Sequence, residues 1–223
     1  MPLTQKTHKA RDVAVAASLL EFERLIMAVK GQGGEGSKIG GAQDVLRNLS
    51  LMEGIPLAFI GGLAAIYHGY ERTTNDINVV VPRTALEAII RIAPKYHIKV
   101  IWQDPDGWHK LHFAGVDIDV VPEGGKPQRH APTTIPGPKQ LGVAKGADYA
   151  ALPGWVETKL ASNRIQDRAD VAQVIKRSSP AALAKVRNHL AKVHQTYLRR
   201  FEELHATAEE EKQQERERPG RRS

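Results

Sequence analysis

The chain has 223 residues, of which 41% are hydrophobic, and this is enough for one domain with a real core, alone or with a helical appendage. It contains no cysteine, which excludes disulfide bonds, thiolate metal ligands and cysteine nucleophiles. The net charge of +7 favours phosphate-bearing partners.

The sequence gives no sign of a membrane or export segment. No apolar run approaches the roughly 20 residues that a membrane-spanning helix needs. The first residues, MPLTQKTHKARDV, lack a continuous apolar core after their charges, so they do not form a secretory signal. We therefore expect a cytoplasmic protein with no membrane partner.

The N-terminal region, residues 1–41, is predicted to combine one helix with a flexible connection. Residues Asp12–Lys30 place apolar side chains at alternating steps of four and three, which indicates a helix with one apolar stripe. Gly31–Gly41 is so rich in glycine that we predict a mobile linker. A second helix, Ala42 to Met52, then leads into the first strand.

The central stretch begins with a strand that ends in two glycines. The apolar run Leu57–Ile60 is followed by Gly61 and Gly62, which open a short helical segment, Leu63–Tyr67. Glycines at such a point let a phosphate approach the backbone, and the free N–H groups of a helix start attract an anion. His68, just after this segment, either helps to close the helix or approaches the same site.

A second strand carries two oxygen-bearing side chains at its start. Asp76 and Asn78 flank Ile77 just before the apolar run Val79–Val81. Residues i and i+2 of a strand point to one face, so both side chains can reach one hard cation. This spacing predicts a candidate cation site.

Three strand-like runs follow a helix that begins at Pro82. These runs are Ile98–Trp102, His109–Phe113 and Val116–Val121. Helix and strand alternate first, and three strands then follow in succession. We therefore predict an α/β (α+β) fold, with a mixed sheet and helices packed on it, as the core over residues 42–152.

Two carboxylates alternate with β-branched residues in the last of these runs. Asp117 and Asp119 therefore lie on one face of the strand. Paired carboxylates repel each other when they are dry and unpaired, and a bound cation removes that cost. A solvated, acidic edge strand explains the same pattern without a cation. The odd separation of His109 and His112 predicts that they point to opposite faces and share no metal.

A long loop separates the strands from two helices. Residues 123–152 are rich in Gly and Pro and carry scattered Lys and Arg, which predicts a basic loop over a triphosphate or an RNA end. The helices Pro153–Ser162 and Gln166–Lys176 follow. Asp167 and Asp170, near the start of the second helix, can complement its dipole.

The C-terminal part is predicted to be helical and then disordered. A single helix from Pro180, with a coiled-coil-like apolar period, completes a helical segment over residues 153–205. It can fold back on the domain or pair with another chain. Residues 206–223 are almost all charged, and we predict that they are mobile.

The central stretch as a whole resembles a known signature. Gly61-Gly62-Leu63-Ala64, followed by Arg72-Thr73-Thr74-Asn75-Asp76-Ile77-Asn78, is similar to the Gly-Gly, short helix and Asp-x-Asp pattern of the nucleotidyltransferase superfamily of the polymerase-β type. The similarity extends to the bacterial branch that includes abortive-infection-type nucleotidyltransferase toxins. It covers about half of the chain and implies that superfamily's fold.

The resemblance implies a metal site on two strands. Asp76, Asn78 and a third acidic residue would be the catalytic residues and would hold Mg²⁺ or Mn²⁺. Asp119 precedes a Val-Val-Pro-Glu-Gly string that is similar to the family's usual context, so it ranks above Asp117 as the third ligand.

The same resemblance implies a set of nucleotide-binding residues. Gly61, Gly62, Thr74 and Arg72 would bind the nucleotide near its phosphates. Lys159 lies in a helical string that also resembles the family, in which this lysine reaches toward the phosphates. A single lysine on a helix is otherwise a solvated charge.

The implied reaction is transfer of a nucleoside monophosphate from a nucleoside triphosphate to a hydroxyl of RNA, of a protein or of a small molecule, with release of pyrophosphate. The related toxins imply a role in a toxin–antitoxin or phage-defence system, with an antitoxin-type protein partner.

Asn78 departs from the pattern, because the family has a second carboxylate there. An amide oxygen ligates Mg²⁺ but brings no negative charge. Three alternatives follow: an active or slower transferase, a nucleotide- or RNA-binding protein that has lost catalysis, and an interaction protein that uses its basic surface and C-terminal helix.

Overall fold

The computed structural model describes residues 35–104 and 107–217, which fold into a mixed α/β structure with a six-stranded sheet. The predicted α/β fold is therefore confirmed. The strands are β1 (Leu57–Ile60), β2 (Asp76–Val81), β3 (Lys99–Gln103), β4 (His109–Phe113), β5 (Val116–Pro122) and β6 (Ala147–Tyr149).

Helices precede, connect and follow these strands. They are α1 (Glu35–Glu53), α2 (Gly61–Tyr67), α3 (Leu86–Ile92), α4 (Leu152–Ser162), α5 (Ile165–Arg177), α6 (Pro180–Val193) and α7 (Gln195–Glu217). Short 3-10 turns, Arg83–Ala85 and Ala93–Tyr96, flank α3. None of the helices within residues 35–104 and 107–217 has both the length and the apolar character needed to cross a bilayer.

The strand order is β3-β4-β5-β2-β1-β6. Strand β2 runs parallel to β5, and β1 runs parallel to β6, whereas the other neighbours are antiparallel. In the register of the two central strands, Asp76 lies opposite Asp117 and Asn78 lies opposite Asp119. Residues paired in this way share one face of the sheet.

A two-residue turn fixes the register between β4 and β5. Ala114 and Gly115 form this turn with φ values of 49° and 87°, and left-handed conformations of this kind match the twist of a tight hairpin. The turn places His112 opposite Asp117 and Lys110 opposite Asp119. Both basic side chains therefore lie on the same face as the carboxylates.

The two faces of the sheet are covered differently. One face packs against α1 and α3 through a continuous apolar core that includes Ile77, Val79, Ile118 and Val120. On the other face, Val80 and Val121 pack under the C-terminal helices. The residues two positions earlier on these strands, Asn78 and Asp119, are polar and only partly buried. The site thus lies where the helical cover of this face ends.

The prediction of a mobile linker at Gly31–Gly41 is wrong for the residues that the structure describes, because α1 already begins at Glu35. Glycine costs about 1 kcal/mol in a helix. The helix nevertheless forms because its next turns bury Val45, Leu46 and Leu49 against the sheet. The predicted helix Asp12–Lys30 lies outside the described residues.

The predicted loop at residues 123–152 contains the short strand β6, which sequence analysis missed. Its three residues are Ala, Asp and Tyr, a set too short and too polar to show an alternating pattern. The loop is also packed against the domain, since Ile135, Leu141 and Val143 are buried in it.

The prediction of one helix from Pro180 is wrong, because His194 is extended and separates α6 from α7. Its Nδ1 accepts a hydrogen bond from the Thr196 N–H, so the imidazole caps the next helix. The two helices fold back on the domain and bury an apolar row there.

The prediction of disorder after residue 205 is also wrong as far as Glu217. Helix α7 continues because Ala208 is fully buried and because Lys176 pairs with Glu211 and Glu215 at 2.8 and 2.9 Å. Contacts to a neighbouring helix thus stabilise a segment whose own composition is almost entirely charged.

Candidate active site

The close packing of α2 against β2 requires the two glycines at the start of α2. Gly61 has a φ of +66°, and a Cβ added to it would lie 3.1 Å from Nδ2 of Asn78. A Cβ added to Gly62 would lie 2.7 Å from Oγ1 of Thr74, which is too close for any real side chain. Both glycines therefore let α2 pack directly against the polar start of β2. Their predicted contact with phosphates stays a prediction.

Four side chains form what we call the acidic face: Asp76, Asn78, Asp117 and Asp119. Within it, both carboxylate oxygens of Asp76 accept hydrogen bonds. Thr74 donates to Oδ1 at 2.9 Å, and the Asn78 amide donates to Oδ2 at 3.0 Å. These bonds fix the orientation of the Asp76 carboxylate, so Thr74 and Asn78 position it.

Lys110 brings a positive charge to the acidic face. Its Nζ lies 3.6 Å from Asp119 Oδ1 and 3.8 Å from Asp117 Oδ2. Burial raises the pKa of Asp119; Lys110 opposes this effect and the charge of Asp76 adds to it. A cation close to both Asp76 and Asp119 would stabilise the charged forms of the two groups.

His112 determines the environment of Asp117. The Gly115 N–H donates to its Nε2 at 3.2 Å, so the proton of the neutral ring is on Nδ1, which donates to Asp117 Oδ1 at 2.8 Å. This hydrogen bond is the main reason why the pKa of Asp117 is lowered. Asp119 instead lies directly opposite Asn78. Asp117 lies opposite Asp76 in the same register, so the ranking of Asp119 above Asp117 stays a prediction.

The donor atoms of the acidic face fit a hard divalent cation. Within the described ranges, no group of three His, Cys, Asp or Glu side chains is arranged to hold a metal ion. The candidate set is two carboxylates and one amide, Asp76, Asp119 and Asn78, which lie on adjacent strands. Mg²⁺ commonly binds through only one or two carboxylates together with substrate phosphates.

Lys159, Asp167, Asp170 and Arg72 form a second charged group, the buried ion cluster. The Lys159 ammonium lies 2.8 Å from Asp167 Oδ1 and 2.7 Å from Asp170 Oδ2, and these three side chains are at most 7% exposed. Arg72 Nη1 lies 2.7 Å from Asp170. The structure thus directs Lys159 toward carboxylates, and its predicted contact with phosphate stays a prediction. Arg72, two residues before Thr74, is also bound here.

The two aspartates of this cluster are satisfied by several donors. Asp167 accepts from Lys159, from Ser162 and from Arg164, whose Nε lies 2.7 Å away. Burial by itself raises the pKa of Asp167, but the hydrogen bond from Arg164 and the charge and hydrogen bond of Lys159 outweigh burial and lower the pKa to about 2. Both aspartates are therefore central to the packing of α5 and do more than complement its dipole.

A cavity connects the acidic face with the buried ion cluster. It is lined by Gly61 and Asn78 on the sheet side and by Lys159 and Arg164 on the helical side, with Trp108 at its edge. The Arg164 side chain is 72% exposed at this cavity, and its Nε lies 2.7 Å from Asp167. Of the acidic face only Asn78 lines this cavity, and the carboxylates Asp76 and Asp119 that are predicted to hold a cation are not among its lining residues.

Sequence analysis missed Lys110 and the roles of His112, Asp167 and Asp170. Alternation along β4 places Lys110 and His112 on one face, and a two-residue turn at Ala114-Gly115 sets them opposite the carboxylates. That signal was present in the sequence. His109 faces the other way and is buried opposite Val120, as the odd spacing predicted.

His68 performs the helix-closing role that was one of its two interpretations. Its backbone N–H bonds to Ala64 O at the end of α2, and its Nε2 donates to the Ala150 carbonyl at 2.9 Å. Burial lowers the pKa of His68, and the bond to Ala150 partly opposes that effect. The side chain therefore ties α2 to the segment that precedes α4.

No protein-family model matches the chain, and no curated protein matches its sequence. A similar solved structure is the solution structure of the antibiotic-resistance factor ANT(2'')-Ia. The two chains are 12% identical with a TM-score of 0.42, and the alignment covers 82% of this chain and 97% of that chain.

Proposed function

We propose that this protein is a nucleotidyltransferase that transfers a nucleoside monophosphate from a nucleoside triphosphate to a hydroxyl group. The observation that carries the proposal is the register of β2 and β5. It sets the oxygen-bearing side chains of Asp76, Asn78 and Asp119 on one face, and Asn78 also lines a cavity walled by Lys159 and Arg164. Carboxylates next to fixed positive charge match a triphosphate with its cation.

Asp76, Asn78 and Asp119 would hold the cation, Mg²⁺ or Mn²⁺. When bound, such a cation neutralises charge on the triphosphate and makes a bound hydroxyl easier to deprotonate. In the reaction the hydroxyl oxygen bonds to the α-phosphorus, the bond to pyrophosphate breaks, and the hydroxyl proton passes to a carboxylate of the acidic face. Pyrophosphate leaves with the electron pair of the broken bond.

The remaining residues bind and orient. Thr74 holds the Asp76 carboxylate in place through its hydroxyl, and Gly61 and Gly62 allow the close approach of α2 that this arrangement needs. Arg72, Lys159 and Arg164 face two carboxylates, Asp167 and Asp170, so this group as a whole would supply one net positive charge along the triphosphate. Charge held in a fixed position requires little reorganisation during the reaction.

A second candidate is a nucleotide- or RNA-binding protein without catalysis. The observation that favours it is the hydrogen bond from the Asn78 amide to Asp76, because the amide here acts as a donor and adds no negative charge. A third candidate, an interaction protein, predicts that no nucleoside triphosphate raises the melting temperature. A ligand that binds only the folded state must raise it.

The acceptor classes of the proposal are RNA, protein and small hydroxyl compounds, and a toxin role would add an antitoxin-type protein that blocks the reaction. We propose to incubate the protein with each labelled nucleoside triphosphate, Mg²⁺ or Mn²⁺, total cellular RNA and total protein. Label in one fraction would identify both the nucleotide and the acceptor class. No label with any triphosphate would contradict the transferase.

Two variants and one control sharpen that experiment. Asp76→Asn should lower transfer by about a hundredfold or more, because it removes a carboxylate that stabilises charge in the transition state. Asn78→Asp should raise metal affinity and transfer together, since it restores the family's second carboxylate. The matched control is Asp44→Asn, which removes an exposed carboxylate on α1.

The outcomes separate the candidates. Tighter metal binding in Asn78→Asp with no transfer to any acceptor would establish the binding protein. Brisk transfer in the wild type that is unchanged or slower in Asn78→Asp would show that the amide is a working ligand. In that case this chain does not need the second carboxylate ligand that the resembled family has at the position of Asn78.

A further inference from the structure

Lys110 is placed on the acidic face by the rigid part of the sheet. Strand β4 carries it directly opposite Asp119, and the two-residue turn between β4 and β5 fixes that register. Its Nζ lies between two carboxylates, 3.6 Å from one and 3.8 Å from the other. Both distances exceed an ordinary hydrogen bond, so the ammonium acts here mainly through its charge.

The charges of this face can be counted. Asp76, Asp117 and Asp119 contribute three negative charges, and Asn78 contributes none. His112 accepts the Gly115 N–H through one ring nitrogen and contacts Asp117 through the other, and it is left out of the count. Lys110 offsets one carboxylate, which leaves two negative charges. One divalent cation matches that remainder, and a second would leave the face with an excess of positive charge.

We propose that the acidic face binds a single divalent cation, and that Lys110 supplies as a fixed ammonium the positive charge that a second cation would supply. The inference rests on the proposed function for the identity of the cation's ligands.

The position of Lys110 distinguishes it from an ordinary solvated lysine. Its side chain is 41% exposed, so the carbon stem is held on the sheet while the ammonium remains open to a ligand. It competes with a cation for the same oxygen of Asp119. Removing its charge should therefore raise the affinity of the face for metal.

The test counts bound Mn²⁺ by electron paramagnetic resonance on the full chain without nucleotide, so that every bound ion is held by the protein's own residues. We expect one Mn²⁺ per wild-type chain. Lys110→Met should bind a second Mn²⁺, or bind the first about tenfold more tightly, because a unit charge a few ångströms from a divalent ion is removed. Lys110→Arg keeps the charge and should bind one Mn²⁺ with wild-type affinity.

The matched control is Lys95→Met, which makes the same change in net charge. Lys95 also forms a long, exposed ion pair, 4.0 Å from Glu53, but it belongs to the layer that covers the opposite face of the sheet. It should leave the count and the affinity unchanged. Lys110→Gln provides a second neutral variant if thermal melting shows that the methionine variant is poorly folded.

A wild-type count of two or of zero, or a Lys110→Met variant that binds as the wild type does, would overturn the inference. The count does not depend on turnover. A count of one that rises in Lys110→Met, in a protein that labels no acceptor, would therefore support the inference while contradicting the transfer reaction. Failure of the single-cation inference and failure of the transfer reaction therefore give different results.

Discussion

The buried ion cluster and the acidic face contain the same kinds of group, yet they use their charges differently. In the cluster, ammonium and carboxylate lie 2.7–2.8 Å apart on side chains that are at most 7% exposed. On the acidic face, Lys110 lies 3.6–3.8 Å from carboxylates that are 21–48% exposed. The cluster therefore neutralises itself, whereas the face keeps negative charge that a ligand can use.

The difference follows from the cost of removing charge from water. A buried charge must have a close partner, because its desolvation costs several kcal/mol. Lys159 and Asp170 meet that condition, and Arg72 extends the network to the segment just before β2. The cluster thereby holds the C-terminal helices against the acidic face. Partial exposure spares the acidic face most of that cost, so its charges can stay loosely paired.

The largest expected effect is on stability, from Asp170→Asn. This change leaves the buried Lys159 and the partly buried Arg72 with one carboxylate fewer, and breaking a buried pair costs about 3–5 kcal/mol. We expect the free energy of unfolding, from urea denaturation, to fall by that amount. The matched control, Asp117→Asn on the acidic face, should cost about 1 kcal/mol or less. Equal losses in the two variants would contradict the comparison.

The acidic face shows how much of the site sequence reasoning can supply. The spacing of Asp76 and Asn78, and of Asp117 and Asp119, predicts the shared face of each strand, because side chains alternate with a period of two. The helix boundaries near residues 153 and 176 were also predictable, since proline and the apolar period mark them. These patterns involve residues that are close in the sequence, so they can be recognised without knowledge of the fold.

The buried ion cluster shows what sequence reasoning cannot supply. Arg72 and Asp170 are 98 residues apart, and their contact depends on how α5 docks against the sheet. Nothing local distinguishes Lys159 from a solvated lysine. The prediction of a linker at Gly31–Gly41 failed for a related reason. Burial of Val45 and Leu49 outweighs the poor helix propensity of the glycines at the start of α1.

The next largest effect is a pH dependence of stability that comes from the cluster. The pKa of Asp167 is lowered from its ordinary 3.8 to about 2, so its stabilising charge is fully present above pH 5 and is lost as the pH falls toward 2. The whole effect is about 2 kcal/mol. Urea denaturation between pH 5.5 and 3 should therefore show a steeper loss for the wild type than for Asp167→Asn. Parallel curves would contradict this assignment.

A smaller effect is expected from metal on the acidic face. Mg²⁺ at ten times its dissociation constant should stabilise the wild type by about 1.4 kcal/mol, because it binds the folded state. The increase in melting temperature should disappear in Asp119→Asn and persist in Asp44→Asn, and sodium chloride of equal ionic strength should not reproduce it. If Asp119→Asn keeps the full increase, the cation binds elsewhere.

The smallest effect should come from Lys110→Met in the protein without metal. Its ion pairs are long and exposed, and such pairs contribute about 0–1 kcal/mol. The residual effect should vanish in 1 M salt, where screening acts over about 3 Å. The loss in Asp170→Asn should remain in the same salt, because buried pairs are screened much less. Urea denaturation of both variants at low and high salt measures the difference. A loss of stability in Lys110→Met that persists in 1 M salt would contradict this comparison. It would show that Lys110 is a structural part of the fold and that its carboxylate partners are not available to a ligand.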